Sequence, residues 1–328
     1  MRPRFNLTLV LPSLLWPHQA STHLPPLTLP GLDALRRLGK FQPKPCSRNE
    51  LIHQFLWHGS WLTQTKQQLQ LDSNSSYLIA VPLSQTSGMH QVQYEYGCSL
   101  GLNFEEAQAF CHLLTEWFAG EEWQFIPFQS DLWLIKVPEA MSFTQDSIFD
   151  LHGLINVTNK PVGSDATKLL QKQTEWQMLL YEHPLNIQRL NQGLLSIRDL
   201  WLQHDSIGSA NPVAALYSNH SWAKQAQPLP ASWLEFMEQD KIHSTNEIVI
   251  YLDDLCLTED HSDVFAYTDI LQQWEQRWWM PLWHSLQKRQ LTQLTLVCDG
   301  DQGGILTVRP SRFSFLRPSK VPFNGHSL

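Results

Sequence analysis

The chain has 328 residues, 42% of them hydrophobic, with fourteen Trp and a formal charge of -8 at pH 7. That is enough apolar material for one large α/β domain or for a core carrying a smaller inserted domain, and the acidic balance, with a pI near 5.9, argues against a general binder of nucleic acid or anionic membrane, which needs a basic face. Five Cys, at 46, 98, 111, 256 and 298, form no CxxC pair and leave an odd one, so neither a disulfide framework nor a zinc knuckle is indicated.

Residues 1–16 superficially resemble a short signal peptide, but Pro12 and Pro17 interrupt the apolar run and no small-residue cleavage site follows. We read 5–11 as the first buried strand, and with no transmembrane run elsewhere the expectation is a cytoplasmic protein. A Pro-rich loop leads to a helix over 30–38, with Pro30 in its first turn, Leu32, Leu35 and Leu38 as its buried stripe and Gly39 as its stop. A second amphipathic stretch covers 50–57. Ser47, in the Pro-flanked loop before it, reads either as a nucleophile or, the commoner role, as a helix N-cap.

After a polar break at 72–76, the segments 77–82 and 91–96 read as strands, 104–118 as a helix capped by Asn103, and 123–127 and 132–137 as two more strands. This texture predicts an inserted α+β module with its aromatics in the core. Beyond a loop at 156–165, Leu169, Leu170, Trp176, Leu179 and Leu180 recur at helical spacing until Pro184 ends the helix. His183, Asn186 and Arg189 then offer an imidazole, a carboxamide and a guanidinium fork, a set suited to an anion such as phosphate. The bland reading, a His-Pro turn whose Asn caps and whose Arg pairs with a carboxylate, is the commoner on these residues alone.

A short strand at 200–202 is expected to return the chain to the main sheet, and 207–230 shows no clear pattern. Residues 247–252 form a near-continuous apolar run, as in a parallel strand covered on both faces, with Asp253 and Asp254 at the carboxyl end where open α/β sheets place their chemistry. The polar stretch 258–263 precedes a predicted helix over 264–287. Its acids and His261 suit a divalent metal or, more commonly, a helix N-terminus. Trp274, Trp278, Trp279 and Trp283 recur at helical spacing, which favours core packing over a partner surface. A strand at 291–297 ends in Cys298-Asp299-Gly300-Asp301, a turn into 305–309 or a weak metal signal, and 313–316 is read as a final hairpin.

Two of these stretches carry a family likeness. Leu29-Pro30-Gly31-Leu32-Asp33 through Gly39 is similar to the TPNLD-like helix of the archaeal-type cofactor-independent phosphoglycerate mutases, in the alkaline-phosphatase superfamily. His183, Pro184, Asn186, Arg189 and Gly193 match that family's HPvN motif with its following Arg and Gly. The phrase QMLLYxHPxN, here 177–186, resembles a bacterial branch often labelled phosphoglycerate mutase. The resemblance implies an alkaline-phosphatase-like three-layer core with a mainly parallel sheet, built from 1–76 and 151–328 and interrupted by a smaller α+β cap domain at 77–150.

In the active family two divalent metals activate a Ser that accepts and returns the phosphoryl group. This chain departs from the ligand pattern the family implies. Leu11-Pro12-Ser13 stands where an Asp-Gly follows the first strand, Asp299-Gly300 keeps the acid of an Asp-His pair but not the imidazole, and 259–263 only approximates a Gly-His-Asp-Gly-Asp loop, with His261 one place out of register. The expectation is a diverged member without two-metal phosphoryl transfer and without cofactor. It would act as a binding or regulatory protein, with a phosphorylated small molecule as candidate ligand at His183, Asn186 and Arg189 and no nucleic-acid or membrane partner. The alternative is a rebuilt phosphomutase or phosphatase, with Ser47 as nucleophile and two manganese or zinc ions on Asp254 (or Asp253), Asp260, His261, Asp263 and Asp299.

Overall fold

The structure, a computed structural model, describes residues 5–17, 24–87, 92–150, 154–155, 160–211, 215–238, 246–310 and 321–328. The chain divides into two units, Met1–His58 with Gly208–Leu328, and Gly59–Ile207 inserted between them. The first arm of unit one supplies β1 (Phe5–Val10), α1 (Pro30–Leu38), β2 (Lys40–Pro43) and α2 (Arg48–Phe55). Unit two holds α3 (Trp61–Gln68), β3 (Ser76–Ser87), β4 (Val92–Tyr96), α4 (Phe104–Trp117), β5 (Gln124–Gln129), β6 (Leu132–Val137), β7 (Leu154–Ile155), α5 (Ala166–Glu182), α6 (Pro184–Asn191) and β8 (Asp199–Gln203). The second arm of unit one adds β9 (Ala215–Tyr217), α7 (Trp233–Glu238), β10 (Glu247–Tyr251), α8 (Cys256–Asp260), α9 (Val264–Trp274), a π-helical turn at Glu275–Trp279, α10 (Met280–Gln287), β11 (Leu291–Cys298) and β12 (Gly304–Val308).

Unit one is built on a six-stranded sheet of order β2-β12-β11-β1-β10-β9. β1 runs parallel to both β10 and β11, and β10 parallel to β9, while β12 is antiparallel to β11. Alternate residues of the central strands, Leu7 and Leu9, Ile248 and Ile250, Leu294 and Leu296, share one apolar cluster with α1, α9 and α10. Their neighbours Val10, Tyr251 and Val297 are buried as well, and in β10 this burial on both faces gives the near-continuous apolar run Ile248–Tyr251. The parallel pairing brings the carboxyl ends of β1, β10 and β11 side by side, so the segments beginning at Leu11, Leu252 and Asp299 leave the sheet together.

The helix expected over 264–287 runs through that whole span, with the π-helical turn at Glu275–Trp279 inside it; Pro281 has no N–H for the bond to the carbonyl four residues back and its ring crowds that carbonyl, and the chain widens into the π turn just before it. Trp274, Trp278 and Trp279 are buried in the core, with Trp283 packed against it, so they offer no partner surface. The hairpin expected at 313–316 lies outside the described residues. Among the described residues no helix is long and apolar enough to cross a membrane.

The π turn also positions Glu275. Leu29 gives α1 no side-chain cap, and the Glu275 carboxylate serves instead, accepting from Gly31 N at 2.6 Å and Leu32 N at 3.4 Å; an anion at a helix N-terminus is favoured by the helix dipole. The contact requires glycine at 31. A Cβ there would stand 2.6 Å from Met280 N and 2.8 Å from the Trp279 carbonyl carbon, backbone atoms that cannot turn aside. Gly31→Ala is therefore expected to lower stability by roughly 1–3 kcal/mol, read as a drop in the urea midpoint without change in the denaturant slope.

In unit two, β3 pairs with β6, β8 and β4 along its length, all antiparallel. The short strand expected to rejoin the main sheet is β8, and it pairs Ile79–Leu83 of β3 instead. Trp176 and Leu180 of α5 pack with Phe110 and Leu114 of α4 into this unit's core, and Trp61 N of α3 donates to Ser206 O. The inserted unit accordingly reaches from Gly59 to Ile207, beyond the expected 77–150 on both sides.

Candidate functional site

Where β1, β10 and β11 end, a buried arginine organises the chain. Arg48 is the first residue of α2, after Ser47, and its side chain is 4% exposed. A cation at a helix N-terminus opposes the helix dipole, so other partners must hold it there. Nη1 donates to both carboxylate oxygens of Asp260, at 2.8 and 3.1 Å, and Nη2 to Glu259 Oε2 at 2.6 Å and to Ser13 Oγ at 2.9 Å. Ser13 N in turn donates to Asp299 Oδ1 at 2.7 Å.

Ser13 takes φ 60°, a left-handed conformation uncommon outside glycine, and is held in it from both sides by Asp299 and Arg48. Burial pushes the Asp299 carboxyl up to about 6, against the lowering effects of Arg48 and of the Ser13 N–H. Cys46 stands beside this cluster, and burial and Asp299 raise its thiol to about 11, which keeps it protonated and a poor nucleophile at neutral pH.

The residues singled out from the sequence take separate roles here. Ser47 is exposed and forms a capping box, its Oγ accepting from Glu50 N while its own N donates to Glu50 Oε2. Asp263 caps α9 by accepting from Ala266 N at 2.9 Å, Asp254 accepts from Trp274 Nε1 at 3.2 Å, and His261 is exposed at the end of α8. Only Asp260 and Asp299, of the expected metal ligands, belong to the Arg48 cluster. Among the described residues no group of three or more His, Cys, Asp or Glu side chains is placed to hold a metal ion. The acceptors around Arg48 fit its guanidinium fork. Arg48 and Ser13 escaped the sequence reading; the one local signal was a cation placed directly after an N-cap.

His183, Asn186 and Arg189 lie in unit two and work as a turn scaffold. His183 ends α5 and caps α6, its Nδ1 accepting from Leu185 N at 3.1 Å, and Pro184 keeps it extended. Its ring packs on Phe110, and burial lowers its pKa, favouring the neutral form. Asn186 gives both amide protons to main chain, to Leu180 O and Ile197 O at 2.6 Å each, and accepts from Ile197 N. Arg189, 1% exposed, donates to Leu195 O, Leu100 O and Glu106 Oε2. Gly193, at φ 74°, closes the turn after α6. Of the three residues expected to bind an anion, Asn186 and Arg189 donate here to carbonyls and one carboxylate, and His183 accepts from a backbone N–H. Elsewhere, a cavity of about 270 Å³ opens beside α2, lined by Asn49, Glu50, His53, Gln54, Gly208 and Ser209, and burial lowers the pKa of His53.

No protein-family model and no curated protein sequence matches the chain. Among solved structures it is similar to the cofactor-independent phosphoglycerate mutase from Thermoplasma acidophilum DSM 1728, at 12% identity and a TM-score of 0.44, covering 99% of this chain and 95% of that one. It is also similar to the PH0037 protein from Pyrococcus horikoshii, at 11% identity and a TM-score of 0.49, covering 94% of this chain and 88% of that one.

At the strand ends the chemistry is that of a closed ion cluster. Two carboxylates, Glu259 and Asp260, pair with a single guanidinium, the nearby hydroxyl, Ser13 Oγ, accepts from that guanidinium, and a third carboxylate, Asp299, accepts from Ser13 N. Among the described residues neither Ser13 nor Ser47 has a base as a hydrogen-bond partner of its hydroxyl: Arg48 donates to the first and a backbone N–H to the second. The geometry of this cluster supplies charge fixation.

Proposed function

We propose that this chain is a phosphoglycerate-mutase-like protein of the alkaline-phosphatase superfamily that no longer performs two-metal phosphoryl transfer and acts as a binding or regulatory protein. The HPLN turn and the 29–39 helix support the ancestry. The observation that carries the loss of chemistry is the Arg48 guanidinium seated between Ser13, Glu259 and Asp260, where β1 and β10 deliver their loops. A two-metal reaction needs carboxylates free to neutralise charge on attacking and leaving oxygens, and here Arg48 neutralises them instead.

The test is an assay of the purified protein, with manganese and with zinc, for interconversion of 3- and 2-phosphoglycerate and for hydrolysis of p-nitrophenyl phosphate. The expected result is no rate above the blank in either. Metal-dependent turnover that disappears in Asp263→Ala and Asp299→Ala would replace this reading by the rebuilt metal site. The same sample titrated with 3-phosphoglycerate in a calorimeter reads the binding half of the proposal separately from catalysis.

A further inference from the structure

We infer that the cage of Ser13, Glu259 and Asp260 is a guanidinium-binding site, filled in cis by Arg48, whose ligand class when emptied is a free guanidinium or alkylguanidinium cation and not a divalent metal. The inference rests on the same cluster as the non-catalytic reading and adds what the cage recognises.

The spacing carries it. The acceptor oxygens are divided between two nitrogens of one planar fork, Asp260 at Nη1 and Glu259 with Ser13 at Nη2, at 2.6–3.1 Å. A fork of this kind satisfies separate acceptors in one plane, whereas a metal ion needs its oxygens gathered at about 2.0–2.6 Å around a single point. Among the described residues the acids are not gathered in that way. The position of Arg48 agrees: the first turn of a helix disfavours a cation, so the cage, and not α2, accounts for the seat. The left-handed Ser13, which hands its hydroxyl to Arg48 and its N–H to Asp299, aims that wall of the cage inward.

Arg48→Ala empties the cage while leaving Glu259, Asp260 and Ser13 in place. Its melting temperature is expected to fall by on the order of 10 °C, the size of effect that follows from unpairing buried charge in a unit of this size. Guanidinium or methylguanidinium chloride, far below unfolding concentrations, should raise the melting temperature of the variant relative to equal sodium chloride. The same salts should slightly lower that of the wild type, since guanidinium weakens apolar burial in general. This opposition of sign distinguishes a site from a solvent effect. Manganese and zinc should move neither protein.

A metal response in Arg48→Ala without a guanidinium response would overturn the inference in favour of a metal site, and no response to any cation would show that the cage is not a site. Should Arg48→Ala not fold, Arg48→Met, which keeps the aliphatic stem, is compared with Arg48→Met/Glu259→Gln/Asp260→Asn. The triple variant is expected to be the more stable, and equal stability would overturn the inference. Turnover in the phosphomutase assay would defeat the functional reading and leave these thermal results standing, so the two fail separately.

Discussion

Arg189→Ala is expected to destabilise the protein by roughly 3–5 kcal/mol, the loss typical of removing one partner from a buried ion pair, and to do so through unit two. The guanidinium holds three separate segments: Leu195 O beyond the turn, Leu100 O before α4, and Glu106 Oε2 in the first turn of α4. Glu106 Oε2 also accepts from Asn103 N as half of the α4 capping box. The substitution therefore unpairs a largely buried carboxylate and leaves two carbonyls short of donors, each with its own desolvation cost. His183→Ala removes one weak cap and a ring contact with Phe110, and about 1 kcal/mol is expected. Urea unfolding followed by circular dichroism separates the two. An Arg189→Ala loss below that of His183→Ala, or a loss of phosphoglycerate binding with stability intact, would return the turn to the role of an anion pocket.

That turn marks the limit of what its sequence conveys. The HPLN residues and Arg189 are recognisable as a motif from their spacing, and the helix end at Pro184 follows from proline's missing N–H and from the restriction it places on His183. Whether the guanidinium faces a ligand or Glu106 depends on a residue 83 positions away. The strand β10 was legible because burial on both faces writes a near-continuous apolar run, and β1 because apolar residues recur at every second position before Pro12. The caps at Asn103 and Ser47 were legible because both partners lie within three residues.

β8 was readable as a strand but not as a partner of β3, since five buried residues do not name the sheet they join. Arg48 was readable only as a cation placed directly after an N-cap. Its acceptors lie 35, 211 and 212 positions away and meet it only once parallel pairing has aligned the ends of β1 and β10. The residues expected to bind metal were found individually, at strand ends and in the loop before α9. Which of them share a cation appears only in the folded sheet, where Glu259 and Asp260 meet Arg48.

Asp299→Asn is expected to make the protein more stable than the wild type at pH 7, by about 2–3 kcal/mol, with the difference vanishing near pH 4. Asp299 is 7% exposed, and burial holds its carboxyl at about 6, above the ordinary 3.8. A raised pKa means that the folded state binds the proton more tightly than the unfolded chain does. The stabilisation that Asp299 contributes is then full below about pH 4 and is lost as pH rises through about 6, each tenfold difference in proton affinity between the two states being worth about 1.4 kcal/mol. Asn keeps an oxygen for the Ser13 N–H and carries no charge to desolvate, so the variant should lack that part of the slope. Urea midpoints of both proteins between about pH 4 and 7.5 measure it. A variant less stable at pH 7 than at pH 4, relative to the wild type, would mean that attraction between ionised Asp299 and Arg48 outweighs the cost of burying the charge. The cluster would then be a net ion-pair anchor, and Asp299 a stabilising fourth wall of the guanidinium cage.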